Sequence, residues 1–185
     1  MRNATILGRH MIVEGFRKTK INSLDTLFSQ IRGKAEGCHV QLFDARLIAG
    51  FDHLYFSVLN ALKAHDGGTG ISRNLAVETL LYASGQHQIT RAIELMGLKP
   101  SSSEVVVLII ADTREEAIRA LERIEGLLQG KRSEDVIGLT DGKIGLIRKT
   151  FEIGDLEIEA TLRDSEKESV TSLLIERAAL LATES

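Results

Sequence analysis

Apolar and polar positions alternate along the chain in two periods, and the change from one to the other marks its elements. Met11 to Phe16 reads as a strand. Asn22 or Ser23 then caps a helix whose apolar residues Leu24, Leu27, Phe28 and Ile31 recur at helical spacing, closed by Gly33 and Gly37. His39 to Phe43 alternates as a half-buried strand does. Phe51 to Ala64 follows as a helix with Phe51, Leu54, Tyr55, Val58, Leu59 and Leu62 on its core face. After the loop Asp66 to Gly70, the spacing predicts helices over Ser72 to Ala83 and Gln86 to Met96, hinged at Ser84-Gly85.

The run Glu104 to Ala111 is apolar from Val105 onward, as suits a strand covered on both faces, and Asp112 or Thr113 caps a helix to about Leu128. Lys131 to Gly138 reads as irregular, Lys143 to Phe151 as a short helix, and Ser165 opens a last helix to about Ala182. Strands and helices mix without a strict βαβ rhythm. The expected fold class is therefore α/β in the layered α+β sense, a small mixed or partly antiparallel sheet with several packed helices.

The length of 185 residues suits one domain, expected over residues 11–185, with residues 1–10 as an N-terminal extension. A hydrophobic fraction of 43% supports a real core, and a net charge of -3 means that any nucleic-acid contact must come from a local patch. The lone Cys38 excludes an intramolecular disulfide and fits a reducing cytoplasm. No apolar run approaches the roughly 20 residues that span a bilayer, so the expectation is a cytoplasmic protein without membrane contact.

Catalytic chemistry is hard to find. His10, His39, His53, His65 and His87 lack metal-site spacing, so neither a metal nor another cofactor is expected. Gly67-Gly68-Thr69-Gly70 lacks the lysine and serine of a phosphate loop and reads better as a connector. The carboxylates between Arg114 and Glu125 interleave with arginines as on a solvated helix face.

Three surfaces are more informative. His53, Phe56, Asn60 and Lys63 share the helix side opposite the core stripe, where an aromatic ring among polar and basic groups suits a single-stranded nucleic acid; packing of Phe56 under a neighbour is the competing reading. The turn Ser84, Gly85, Gln86, His87 and Gln88 precedes a helix N-terminus, which favours an anion, although capping alone would account for Ser84. On the last helix, Val170, Leu173, Leu174, Ala178 and Leu181 form the core stripe, while Ile175, Ala179 and Ala182 form a second apolar flank, open to burial or to a partner.

Glu78 to Ile89, read as ETLLYASGQHQI and continuing to Met96-Gly97, resembles the central motif of the PRPK-binding protein family in its archaeal form. The similarity extends to Met11-Ile12-Val13-Glu14-Gly15, to Asn60-Ala61-Leu62-Lys63, to the strand Val105 to Ala111 and to the leucine-rich last helix. Archaeal relatives usually carry arginine where this chain has His87. The resemblance implies a non-enzymatic accessory subunit of the KEOPS complex, which installs threonylcarbamoyl-adenosine in tRNA. Such a subunit docks on and regulates the small kinase/ATPase subunit, meets the other KEOPS subunits through it, and recruits tRNA by its 3′ CCA end. Taken with the three surfaces above, it names the kinase as the expected partner of Ile175, Ala179 and Ala182, and the tRNA 3′ end as that of Phe56, Asn60, Lys63 and Ser84, Gly85, Gln86, His87 and Gln88. Two alternatives stay open: a purely structural adaptor without RNA contact, and a small-molecule enzyme with a phosphate site at the Ser84-Gly85 turn.

Overall fold

A computed structural model describes residues 1–35, 37–161 and 164–183. The sheet is built from β1 (Arg2–Ile6), β2 (Arg9–Arg17), β3 (His39–Asp44), β4 (Glu104–Ala111) and the two-residue β5 (Lys131–Arg132). Its order is β1-β2-β4-β3, β5 pairs with β2, and every pairing is antiparallel. β4 is central, which accounts for its unbroken apolar run, since a strand paired on both edges and covered on both faces has no polar side.

Alternation along the strands divides the core in two. Ile12, Phe16, Leu42, Val107 and Ile109 face α1 (Leu24–Lys34) and α5 (Arg114–Leu128). Met11, Val13, Phe43, Val106, Leu108 and Ile110 face the opposite layer. That layer holds α2 (Phe51–Gly67), α3 (Leu75–Ser84), α4 (Ile89–Met96), α6 (Asp141–Thr150), α7 (Asp155–Ala160) and α8 (Glu166–Leu181). The result is the expected layered α+β arrangement.

The helix ends follow side-chain chemistry. Thr113 and Glu116 form a reciprocal capping box at α5, Ser23 caps α1, and Asn74 caps α3, so that this helix starts at Leu75, three residues later than Ser72. At the end of α3, Gly85 adopts φ +60°; its N–H donates to Tyr82 O and that of Gln86 to Leu81 O, the paired bonds of a Schellman motif. α4 therefore starts at Ile89 and not at Gln86.

Several elements depart from the sequence pattern. Residues 2–6, expected in an extension, form the edge strand β1, whose side chains are mostly exposed apart from Ile6. β2 begins at Arg9, two residues before the first apolar side chain. Residues 131–138 hold β5 and a 3-10 turn at Glu134–Val136, which lies so close to β2 that a Cβ on Gly15 would meet Ser133 O at 2.4 Å. α7 has only six residues and no buried side chain, so its apolar pattern is too short to read.

Candidate functional site

The expected RNA side of α2 is not one surface. His53 is 0% exposed and belongs to the core, where it joins two segments. Its Nδ1 accepts the Ala49 N–H at 3.2 Å, which leaves the proton on Nε2 to be donated to Ala83 O at 2.8 Å. The helical wheel placed His53 outside because it scored imidazole as polar; α3 packs against that side and the ring's hydrogen bonds make burial tolerable. Burial, only partly offset by the bond to Ala83, pulls its pKa down to about 4, so the ring is neutral.

Phe56, at 37% exposure, borders a groove of about 780 Å³. The groove runs between the α2 N-terminus, residues 134–139 and the N-terminal half of α8, and Ile175 lines it as well. Thus the candidate stacking residue and the candidate kinase anchor share one cleft. Asn60 is half-buried and Lys63 exposed farther along α2, and neither lines the groove. Ala179 on α8 and Ala182 just past its end are exposed and do not line the groove.

Hydrogen bonds hold the walls in place. Thr171 Oγ1 donates to Ala49 O at 3.0 Å, tying α8 to the segment before α2. Lys143 Nζ donates to Val136 O at 2.6 Å, to Gly138 O at 3.0 Å and to Ile48 O at 3.5 Å. Desolvation pulls this buried amine down to about 8. Sequence reasoning missed Lys143, since nothing in its spacing separates a brace from a solvated lysine.

Ser84 to His87 border a second cavity, of about 430 Å³, with Phe151, Arg177 and Leu180. Phe56 borders the first cavity and the turn the second, and the two cavities share no lining residue. Ser84 is buried and its Oγ donates to Leu81 O at 3.0 Å, so it neither caps α4 nor presents a free hydroxyl. The Gly85 and Gln86 amides are spent on the end of α3 and the Gln86 side-chain amide donates to Ser84 O at 3.4 Å, while His87 and Gln88 are exposed. Arg177 Nη2 pairs with Glu157 Oε1 at 3.0 Å, and Gly154 N–H and Arg177 together hold the Glu157 carboxyl below its usual range.

The glycine-rich loop is not a phosphate cradle. Its amides from Gly68 to Gly70 donate to Ala64 and His65 carbonyls, and those of Ile71 and Ser72 donate to the buried Glu78 carboxylate at 3.2 and 2.6 Å. The loop is closed on its own chain. Among the described residues no group of three or more His, Cys, Asp or Glu is placed to hold a metal, and no helix is long and apolar enough to cross a membrane.

Comparison with known proteins gives two findings. A family model described as "Kinase binding protein CGI-121" matches residues 18–182. The chain is also similar to the "Regulatory protein Cgi121" of Methanocaldococcus jannaschii, with 32% identity over 143 residues that cover 77% of this chain and 85% of that protein.

Proposed function

Since the chain belongs to the CGI-121 family of kinase-binding proteins, we propose that it is a non-catalytic regulatory subunit that docks on a small kinase through the outer flank of α8. The observation that carries this reading is that α8 is apolar on two sides. Val170, Leu173, Leu174, Ala178 and Leu181 are buried, while Ile175 is only half-covered at the groove edge and Ala179, Leu180 and Ala182 face solvent. An apolar surface left uncovered on a folded domain suits protein docking. The partner is the kinase/ATPase subunit of a KEOPS-type assembly that modifies tRNA, and the setting is cytoplasmic.

The same reading assigns tRNA contact to the other cavity. Gln86, His87 and Gln88 stand at the N-terminus of α4, where side-chain donors and the helix dipole favour a phosphate or an unstacked base edge of the 3′ CCA end. Phe56, apart from this turn and beside Ile175, fits the protein-docking groove better than a base-stacking role. Co-purification with the kinase subunit of the same organism tests the first assignment, with a stable complex expected and its absence contradicting the reading. A gel shift with intact and CCA-trimmed tRNA tests the second, and equal binding of the two would remove the 3′ end from the account.

A further inference from the structure

The groove shared by Phe56 and Ile175 has a lining that selects among partners. Phe51, Ile137 and Leu139 line it together with Phe56 and Ile175 and make up most of its apolar part. Around them stand two cations, Arg2 and Lys167, and four carboxylates, Asp52, Glu134, Asp135 and Glu168. Both cations are already engaged. Arg2 Nε meets Glu134 Oε1 at 2.7 Å and Lys167 Nζ meets Asp141 Oδ1 at 2.9 Å. Asp135 lies 3.9 Å from Arg17.

Asp52 and Glu168 are exposed, and neither carboxylate has an ion pair or side-chain hydrogen bond among the described residues. They stand on the two helices that supply the apolar anchors. Asp52 precedes Phe56 by four residues on α2, and Glu168 precedes Ile175 by seven on α8, so each acid shares a helix face with its anchor. The cleft is thus an apolar slot with an unpaired carboxylate on each of the two helices that wall it.

We infer that the groove receives a basic amphipathic segment of the partner kinase, its apolar side chain seated between Phe56 and Ile175 and its lysines or arginines meeting Asp52 and Glu168. This rests on the kinase-docking reading and adds the chemistry of the segment that docks. A nucleic acid is the wrong occupant for this cleft, because its phosphates would face the unpaired carboxylates of Asp52 and Glu168 while the two lining cations, Arg2 and Lys167, are already held by Glu134 and Asp141. Asp52 and Glu168 also lie in the first turns of their helices, where acids favour the helix dipole. That role would show in stability alone and would leave binding and its salt dependence unchanged.

The experiment measures the dissociation constant for the kinase subunit as salt is raised, for the wild type, for Asp52→Lys with Glu168→Lys, and for Asp52→Asn with Glu168→Gln. The wild type should weaken with salt. Double charge reversal should weaken low-salt binding on the order of tenfold and flatten or invert the salt dependence, with the neutral pair between them. Wild-type affinity and salt slope in the reversed variant would overturn the inference. If Ile175→Glu abolishes binding while charge reversal does nothing, docking on α8 stands and the basic segment falls. If none of these changes affects binding, the kinase docks elsewhere and both readings fall. Loss of tRNA affinity in Phe56→Ala, with kinase binding intact, would also overturn the inference.

Discussion

The two helix layers use the same apolar periodicity to opposite ends. On one face of the sheet, α1 and α5 lay Leu27, Ile31, Ala117, Leu121, Ile124 and Leu128 against the strands, and neither helix exposes a large apolar side chain. On the other face, Phe56, Ile89, Ile93, Leu146, Leu156 and Leu180 all remain substantially exposed on α2, α4, α6, α7 and α8. Two helices cover one side of the small sheet, with a cavity of about 250 Å³ beside the end of α1. Six helices, several of them short, cover the other and leave clefts between their ends. Both layers bury apolar side chains against the sheet, and the open layer in addition leaves apolar surface uncovered.

Mutations can pull the two layers apart. The largest effect expected is at Ile124, fully buried on the inner face of α5, where Ile124→Ala should cost about 2 to 5 kcal/mol in chemical denaturation without altering kinase affinity of the folded protein. Acid should act next, through His53 in the open layer. Its folded pKa of about 4 lies below the ordinary histidine value near 6.5, so below that value the unfolded chain takes up a proton that the folded chain refuses. Stability should therefore fall as pH drops from about 6.5 towards 4, by about 3 kcal/mol in all from this group. A His53→Gln variant, less stable at neutral pH, should lose that part of the slope. An unchanged slope would mean that His53 is not held neutral.

Smaller effects sharpen the contrast. Thr113→Ala removes one half of the α5 capping box and should cost about 1 kcal/mol of stability by thermal or chemical unfolding. Leu180→Ser, at a side chain 59% exposed, should change stability by less than about 0.5 kcal/mol, as expected of a residue outside the core. A large destabilisation there would close the open layer and weaken the comparison.

What could be read in advance follows the same division. β4 was legible from Glu104 to Ala111 because a central strand is apolar throughout, and α5 because its cap and stripe are local signals. The core stripe of α8 was equally plain. β1 was not, since an exposed edge strand needs little apolar pattern. His53 was misplaced because its burial depends on Ala49 N–H and Ala83 O, the second of them thirty residues away. The motif at Ser84-Gly85-Gln86 was visible, but its glycine and amides serve the end of α3 and only the side chains beyond them face outward. The groove beside Ile175 lay beyond sequence reasoning altogether. Its walls come from the residues before α2, the segment 134–139 and α8, which long-range packing alone brings together.

The claim that α8 presents its outer flank to a kinase is tested most directly at Ile175. Kinase affinity and unfolding free energy would be measured in parallel for wild type, Ile175→Glu and Ile124→Ala. A carboxylate forced into the interface without a partner should cost about 3 kcal/mol of binding, on the order of a hundredfold in dissociation constant, while the protein stays folded. Ile124→Ala should show the reverse, lost stability with affinity retained. A folded Ile175→Glu protein that binds the kinase with wild-type affinity would contradict the account.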